Sequence, residues 1–281
     1  MPPSRIRSPF SVPQPERLHL ARPPLASVLA QIKFPRPTAS QTGAWTERLA
    51  GALACDYPEM NDFQEMAITV TSEGQVQSAG AGNGQQFHTA DREWHVSIGS
   101  SLVTLQATKY PGSDEFMLRL ETVLAAFQQV ARPTRVERVG FRYTNCVELE
   151  GSIPLEQWVR KEYLGALLGP YSQDDPRLVH SLSQTVFDFG SAQPVPGPAQ
   201  VLDGLQVQWG QLPPGAVLDH SIPPLAVATW VLDLDAFVHL PQAPFELGDI
   251  LDHANGMARR AYGYFRWVVT EAFLDWFGAV R

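Results

Sequence analysis

The sequence predicts an α+β fold: two similar β-α-β-β-β-α halves joined into one curved antiparallel sheet gripped by long helices, a helix-grip-like arrangement. Three observations carry that prediction. Stretches with a side-chain period of two alternate with stretches whose apolar residues recur every three or four positions. The order strand, helix, strands, helix runs from residue 23 to about 134 and is then repeated from 135 to 281. A sheet with one apolar face must be covered, and two long amphipathic helices are available to cover it. Residues 1–22 are expected to be a disordered Pro-rich tail, because Pro2, Pro3, Pro9, Pro13 and Pro15 disfavour both helix and sheet.

In the first half, Pro23-Pro24 opens a strand over Leu25 to Phe34, closed by Pro35 and Pro37. Ser40 then suits the cap of a helix over Gln41 to Ala54, with Trp45, Leu49, Ala52 and Leu53 on its apolar stripe. Ala67 to Thr71 reads as a strand, and Gly-rich Ser78 to Gln86 as a loop. Glu93 to Ile98 and Leu102 to Thr108, joined by Gly99-Ser100-Ser101, read as a meander. Ser113 caps a helix with Phe116, Leu120, Val123, Leu124, Phe127 and Val130 at helical spacing, stopped by Pro133.

The second half opens on the strand Arg135 to Asn145. Alternation puts Arg138, Gly140, Arg142 and Thr144 on one face and Val139, Phe141, Tyr143 and Asn145 on the other. Ser152 and Pro154 start a helix reaching about Leu168. Strands follow over Leu178 to Phe189, Gly204 to Leu212 and Leu225 to Phe237, the first two separated by the Pro/Gly stretch Gln193 to Pro198. The last helix runs from about Phe245 to Phe277, with Ile250, Ala254, Met257, Ala261, Phe265, Val268, Ala272 and Trp276 stepping by three and four. It would be ~48 Å long.

Several function classes lose support. Net charge is −8, and no basic run advertises binding to a phosphate backbone. Two cysteines, Cys55 and Cys146, form neither a disulfide framework nor a CxxC metal site, and suit a reducing cytoplasm. No apolar run approaches the ~20 residues that span a bilayer. Gly80-x-Gly82-x-Gly84 lacks the Lys-Ser/Thr and the helix of a phosphate loop. His88, His95, His180, His220, His239 and His253 show no paired metal-ligand spacing, and no G-x-S-x-G elbow occurs. No metal site and no cofactor are expected.

The candidate ligand-binding residues are Arg138, Arg142, Tyr143, Asn145, Asp233 and Asp235. Arg138 and Arg142 are placed to clamp a carboxylate or phosphate, or to pair structurally with Asp233 and Asp235. Gly140 leaves an open spot between them. The strand pair Asp233-Leu234-Asp235 turns both carboxylates to one side, where they would hold a divalent cation or an arginine. Strand aromatics Trp94, Trp209, Trp230, Phe141 and Tyr143 suit core packing, or base stacking in an RNA binder. On the last helix His253 and Arg260 share a face that is either solvated or functional.

Blocks of the sequence resemble a sporadically distributed family of uncharacterised bacterial proteins of about this length. They are Pro-Pro-Leu at 23–25, Leu102-Val103-Thr104-Leu105-x-x-Thr108-x-Tyr110, Glu115-Phe116-x-x-Arg119-Leu120, Arg138-x-Gly140-Phe141-Arg142-Tyr143-x-Asn145, Asp233-x-Asp235-x-Phe237 and Phe265-x-x-x-Val269-Thr270. The resemblance spans residues 23 to 277. It implies no catalytic residues, and the family's patchy distribution implies mobile loci such as defence or toxin–antitoxin islands. The leading expectation is a non-enzymatic cytoplasmic binding protein that takes a protein partner or small ligand in a groove between sheet and helix. The alternatives are a nucleic-acid-processing or nucleotide-dependent enzyme using the Asp pair and the arginines, and an RNA-binding subunit of CRISPR type.

Overall fold

The computed structural model describes residues 8–10, 15–36, 39–70, 76–150, 155–169, 175–176, 178–190, 202–218 and 221–280. The expected disorder of residues 1–7 and 11–14, the helix start at Ser152 and Pro154, the stretch Gln193 to Pro198 and His220 lie outside the described residues.

The fold is α+β. In chain order the elements are β1 (His19–Leu20), β2 (Leu25–Lys33), α1 (Ala39–Leu53), β3 (Glu59–Val70), β4 (Val76–His88), β5 (Trp94–Ile98), β6 (Leu102–Ala107), α2 (Ser113–Ala131) and β7 (Arg135–Glu148). There follow α3 (Leu155–Trp158), two short 3-10 turns, β8 (Ser181–Asp188), β9 (Asp203–Leu212), β10 (Thr229–Pro244), α4 (Leu247–Val268), α5 (Glu271–Trp276) and β11 (Ala279–Val280). Nine strands form one antiparallel sheet in the order β3-β4-β5-β6-β2-β7-β10-β9-β8, and β1 pairs with β11 separately. No described helix is long and apolar enough to cross a membrane.

The chain divides into two compact units. One comprises residues 1–28, 141–237 and 255–281, the other residues 29–140 and 238–254. Each unit is assembled from segments far apart in the chain. A duplicated β-α-β-β-β-α unit is not shown. The first half holds a fourth strand after α1, and the helix expected up to Leu168 shrinks to four residues followed by 3-10 turns.

That extra strand is the Gly-rich stretch expected to be a loop. β4 pairs along its length with β3, and then with β5. Glycines carry no hydrophobic signal, so periodicity cannot find such a strand. Pairing makes it one: Gly84 lies opposite Phe63, whose ring occupies the place a Cβ would take, with Ile98 O 2.8 Å from the same point.

The second unit packs α1 and α2 around one ring, Phe127. It meets Phe34 at 4.8 Å, Trp45 at 5.7 Å and Phe245 at 5.9 Å between centroids. Trp45, Leu49 and Leu53 are buried as their spacing predicts, but Ala52 faces outward. Ser113 begins α2 instead of capping it. Gly112 is the cap, and no side chain serves there; Asp114 and Glu115 favour the positive end of the helix dipole.

In the first unit the expected single C-terminal helix is two. α4 stops at Val268. Val269 bridges to Val159, the Thr270 amide donates to Trp158 O at 2.8 Å, and the Thr270 hydroxyl donates to Gln157 O and caps α5 by accepting from the Phe273 amide. The break resets the helical phase. Phe273 and Leu274 are buried, while Ala272 and Trp276, placed on the stripe by uninterrupted spacing, are exposed.

The N-terminal stretch is partly ordered within that unit. Phe10 packs against Phe187, Phe189 and Tyr264, and His19–Leu20 pairs with Ala279–Val280. The Tyr262 hydroxyl accepts from the Leu18 amide at 2.8 Å and donates to Glu16 O. Residues 16–22 hold no helix, so an extended segment is available to pair with the C-terminal strand.

Candidate functional site

The six residues singled out from sequence separate into three groups. On β10, Trp230, Leu232, Leu234 and Ala236 are buried in the core, so Asp233 and Asp235 take the opposite face. Asp233 is itself buried. Both of its oxygens are engaged: Arg142 donates through Nε to Oδ1 and through Nη2 to Oδ2, each at 2.8 Å, and Thr144 Oγ1 donates to Oδ1 at 3.0 Å. A two-pronged guanidinium–carboxylate pair is the strong form of this contact. Holding a cation there would require breaking it. Among the described residues no group of three His, Cys, Asp or Glu is gathered for a metal. Asp235 is half-buried on the same side of β10.

Tyr143 and Asn145, proposed from sequence as ligand contacts, are core residues. The Tyr143 ring lies 5.1 Å from that of Phe141. Asn145 Nδ2 donates to Leu232 O at 3.1 Å in the interior. Alternation puts both on the face of Val139 and Phe141, and both are buried there.

Cys146 follows on the Arg142 side of β7. Burial first, and then the negative charges of Asp233 and Glu148, push its thiol up to about 12. Cys55 is exposed. At pH 8, iodoacetamide is therefore expected to label Cys55 at least ~10-fold faster than Cys146, because the thiolate is the nucleophile. Peptide mass mapping over time checks this, and equal rates would contradict the assignment.

Arg138 lies in the other unit and has a different partner. Its Nη1 donates to Gln31 Oε1 at 3.0 Å. Its guanidinium covers Gly140 so closely that an added Cβ would collide with Nη1. The open spot expected at Gly140 is thus filled by Arg138 itself, which a bare glycine lets lie flat on the strand. Lys33 of β2 and His239 of β10 complete the group. Burial first, and then the cations Arg138 and Lys33, lower the His239 pKa.

A buried polar layer was not foreseen. His95 Nε2 meets Gln106 Oε1 at 3.0 Å, both residues being buried, and the His88 ring lies 5.4 Å from that of His95. The signal was present: on β5 and β6 the register sets His95 opposite Gln106 and Ser97 opposite Thr104. Burial, then the Arg92 cation, lowers the His88 pKa, with Glu59 opposing.

Both lowered imidazoles bear on stability. The unfolded chain, with histidines near 6.5, takes up protons before the folded one does as pH falls. Their contribution is complete above pH ~6.5 and is lost below it. The urea midpoint is expected to drop between pH 7.5 and pH 5.5, and to drop less in the His88→Asn, His239→Gln double variant. An equal drop in both proteins would contradict this.

Four of the five strand aromatics lie in the core, and Trp209 is half-buried. Trp94, Trp230, Phe141 and Tyr143 are buried. Trp230 Nε1 donates to Tyr163 O at 3.1 Å, and the Tyr163 and Tyr264 hydroxyls bond each other. Burial raises both of those phenols. Arg260 pairs with Asp203, and its guanidinium sits 3.9 Å from the Phe189 ring centre, so its helix face is neither solvated nor vacant.

No protein-family model, no curated protein and no solved structure matches this chain.

Proposed function

We propose that this chain is a cytoplasmic binding protein, with no chemistry of its own, that holds an anionic group of a ligand or partner at Lys33, Arg138 and His239. One observation carries the reading: three basic side chains converge from β2, β7 and β10, neighbouring strands of the sheet, in a chain whose net charge is −8. Donors brought together from three strands suit a phosphate or carboxylate, whose oxygens accept several hydrogen bonds at once. Gln31 holds the Arg138 fork in place beforehand, which lowers the ordering cost of binding. An exposed thiol at Cys55 suits a reducing compartment. The defence or toxin–antitoxin context implied by the family resemblance belongs to the same proposal, and a gene recurring beside this one would name the process.

Calorimetric titration with inorganic pyrophosphate, and separately with citrate, tests the site. Binding is expected to weaken at least ~10-fold in Arg138→Gln and to weaken as salt rises. It should strengthen from pH 8 to pH 6 as His239 gains a proton, a response absent from His239→Gln. Unchanged affinity in Arg138→Gln, or no heat with either probe, would overturn the proposal.

A further inference from the structure

We propose that the chain pairs with a second copy of itself along the free edge of β8, in an antiparallel arrangement related by a two-fold axis through Gln184. Among the described residues, β8 and β3 are the two ends of the sheet order. An unpaired edge is a template for another strand, and proteins guard such edges with charge. β3 carries Glu59 and Asp62. β8 reads Ser-Leu-Ser-Gln-Thr-Val-Phe-Asp, with no proline and no charge before Asp188. Its outward side chains include Leu182, 47% exposed, and Val186, 43% exposed.

The backbone points the same way. Phe189 N donates to Asp203 O of β9 at 2.8 Å, and the β8–β9 register runs without a bulge from Ser181 opposite Gln211 to Asp188 opposite Gly204. In an antiparallel ladder alternate residues bond alternate neighbours. Ser181, Ser183, Thr185 and Phe187 therefore bond β9, and the N–H and C=O groups of Leu182, Gln184, Val186 and Asp188 point to the free edge.

Self-complementarity selects the occupant. An axis through Gln184 sets Leu182 against the partner's Val186, Gln184 against the partner's Gln184, and exposed His180 against the partner's Asp188. Apolar meets apolar, amide meets amide, and base meets acid. It also matches the edge-facing groups with one another, giving about six interchain hydrogen bonds. Moving the axis to Thr185 sets Leu182 against the partner's Asp188; moving it to Ser183 sets Leu182 against the partner's Gln184. An axis between residues sets outward side chains against inward ones. One edge strand makes a small interface, so the dimer belongs to the weak class.

Sedimentation velocity of the full chain between about 1 and about 200 µM tests this. The expected result is a concentration-dependent monomer–dimer equilibrium. Gln184→Pro removes an N–H that faces the free edge and none that bonds β9, so it is tolerated in the fold and weakens association at least tenfold. Val186→Lys, a surface change, does the same by setting charge against Leu182 of the partner subunit. If circular dichroism shows Gln184→Pro misfolded, Val186→Lys alone decides. A wild-type chain that stays monomeric throughout, or self-association unchanged in the folded variants, overturns the proposal.

Discussion

Replacing Arg142 with methionine is expected to cost about 3 kcal/mol of stability, more than any other single change at the polar face. Methionine keeps the apolar stem, so the loss isolates the charge. The two partners are unequally placed: the Asp233 side chain is 7% exposed and the Arg142 side chain 32%. Removing the arginine leaves a buried carboxylate with the Thr144 hydroxyl donating to it at 3.0 Å but no cation in that pair. Removing the acid is milder, because a guanidinium one-third exposed can turn to water. Asp233→Asn, which keeps the shape, is expected to cost about 1–2 kcal/mol. Urea denaturation of both variants checks the asymmetry. A larger loss for Asp233→Asn than for Arg142→Met would show that the arginine, and not the acid, is the member that depends on the pair.

Trp230→Ala is expected to cost about 3–5 kcal/mol. Trp230 is 1% exposed, the largest fully buried side chain among the described residues. Two losses add. The indole leaves a cavity too deep in the core to collapse, and Tyr163 O loses the donor it receives from Nε1 at 3.1 Å. Trp230→Phe separates them. Its ring fills much of the space but donates nothing, so it is expected to cost about 1–2 kcal/mol. Chemical denaturation followed by circular dichroism measures both, with the slope unchanged from wild type. Similar losses in the two variants would place the weight on the hydrogen bond; a loss under about 1 kcal/mol in Trp230→Ala would mean the site repacks.

The elements legible in the sequence are those whose signal is local. α2 and the body of α4 follow from apolar residues at three and four, and β5, β6, β7 and β9 from alternation and turn residues. The misses share a cause. β4 is built from glycines and amides that show no periodicity, and it exists because β3 and β5 supply its hydrogen bonds. The break after Val268 is made by Trp158 and Gln157, over a hundred positions earlier, which take the amide and the hydroxyl of Thr270. The helix expected to reach Leu168 has no long stripe to bury and ends at Trp158, where Arg160 and Val159 turn to α4 and its C-terminal end.

By itself the sequence determined which residues share a face. Alternation on β7 and β10 was enough to turn Arg142 and Thr144 one way and Phe141, Tyr143 and Asn145 the other, and to set Asp233 apart from Trp230 and Leu232. Only the tertiary structure decided which partner each charge meets. Arg142 closes on Asp233, while Arg138 takes Gln31 and joins Lys33 and His239. The reason is physical: a side chain's face is set by the pleat of its own strand, but its partner is set by the register of a neighbouring strand, and that register depends on a hydrogen-bond ladder between residues far apart in the chain.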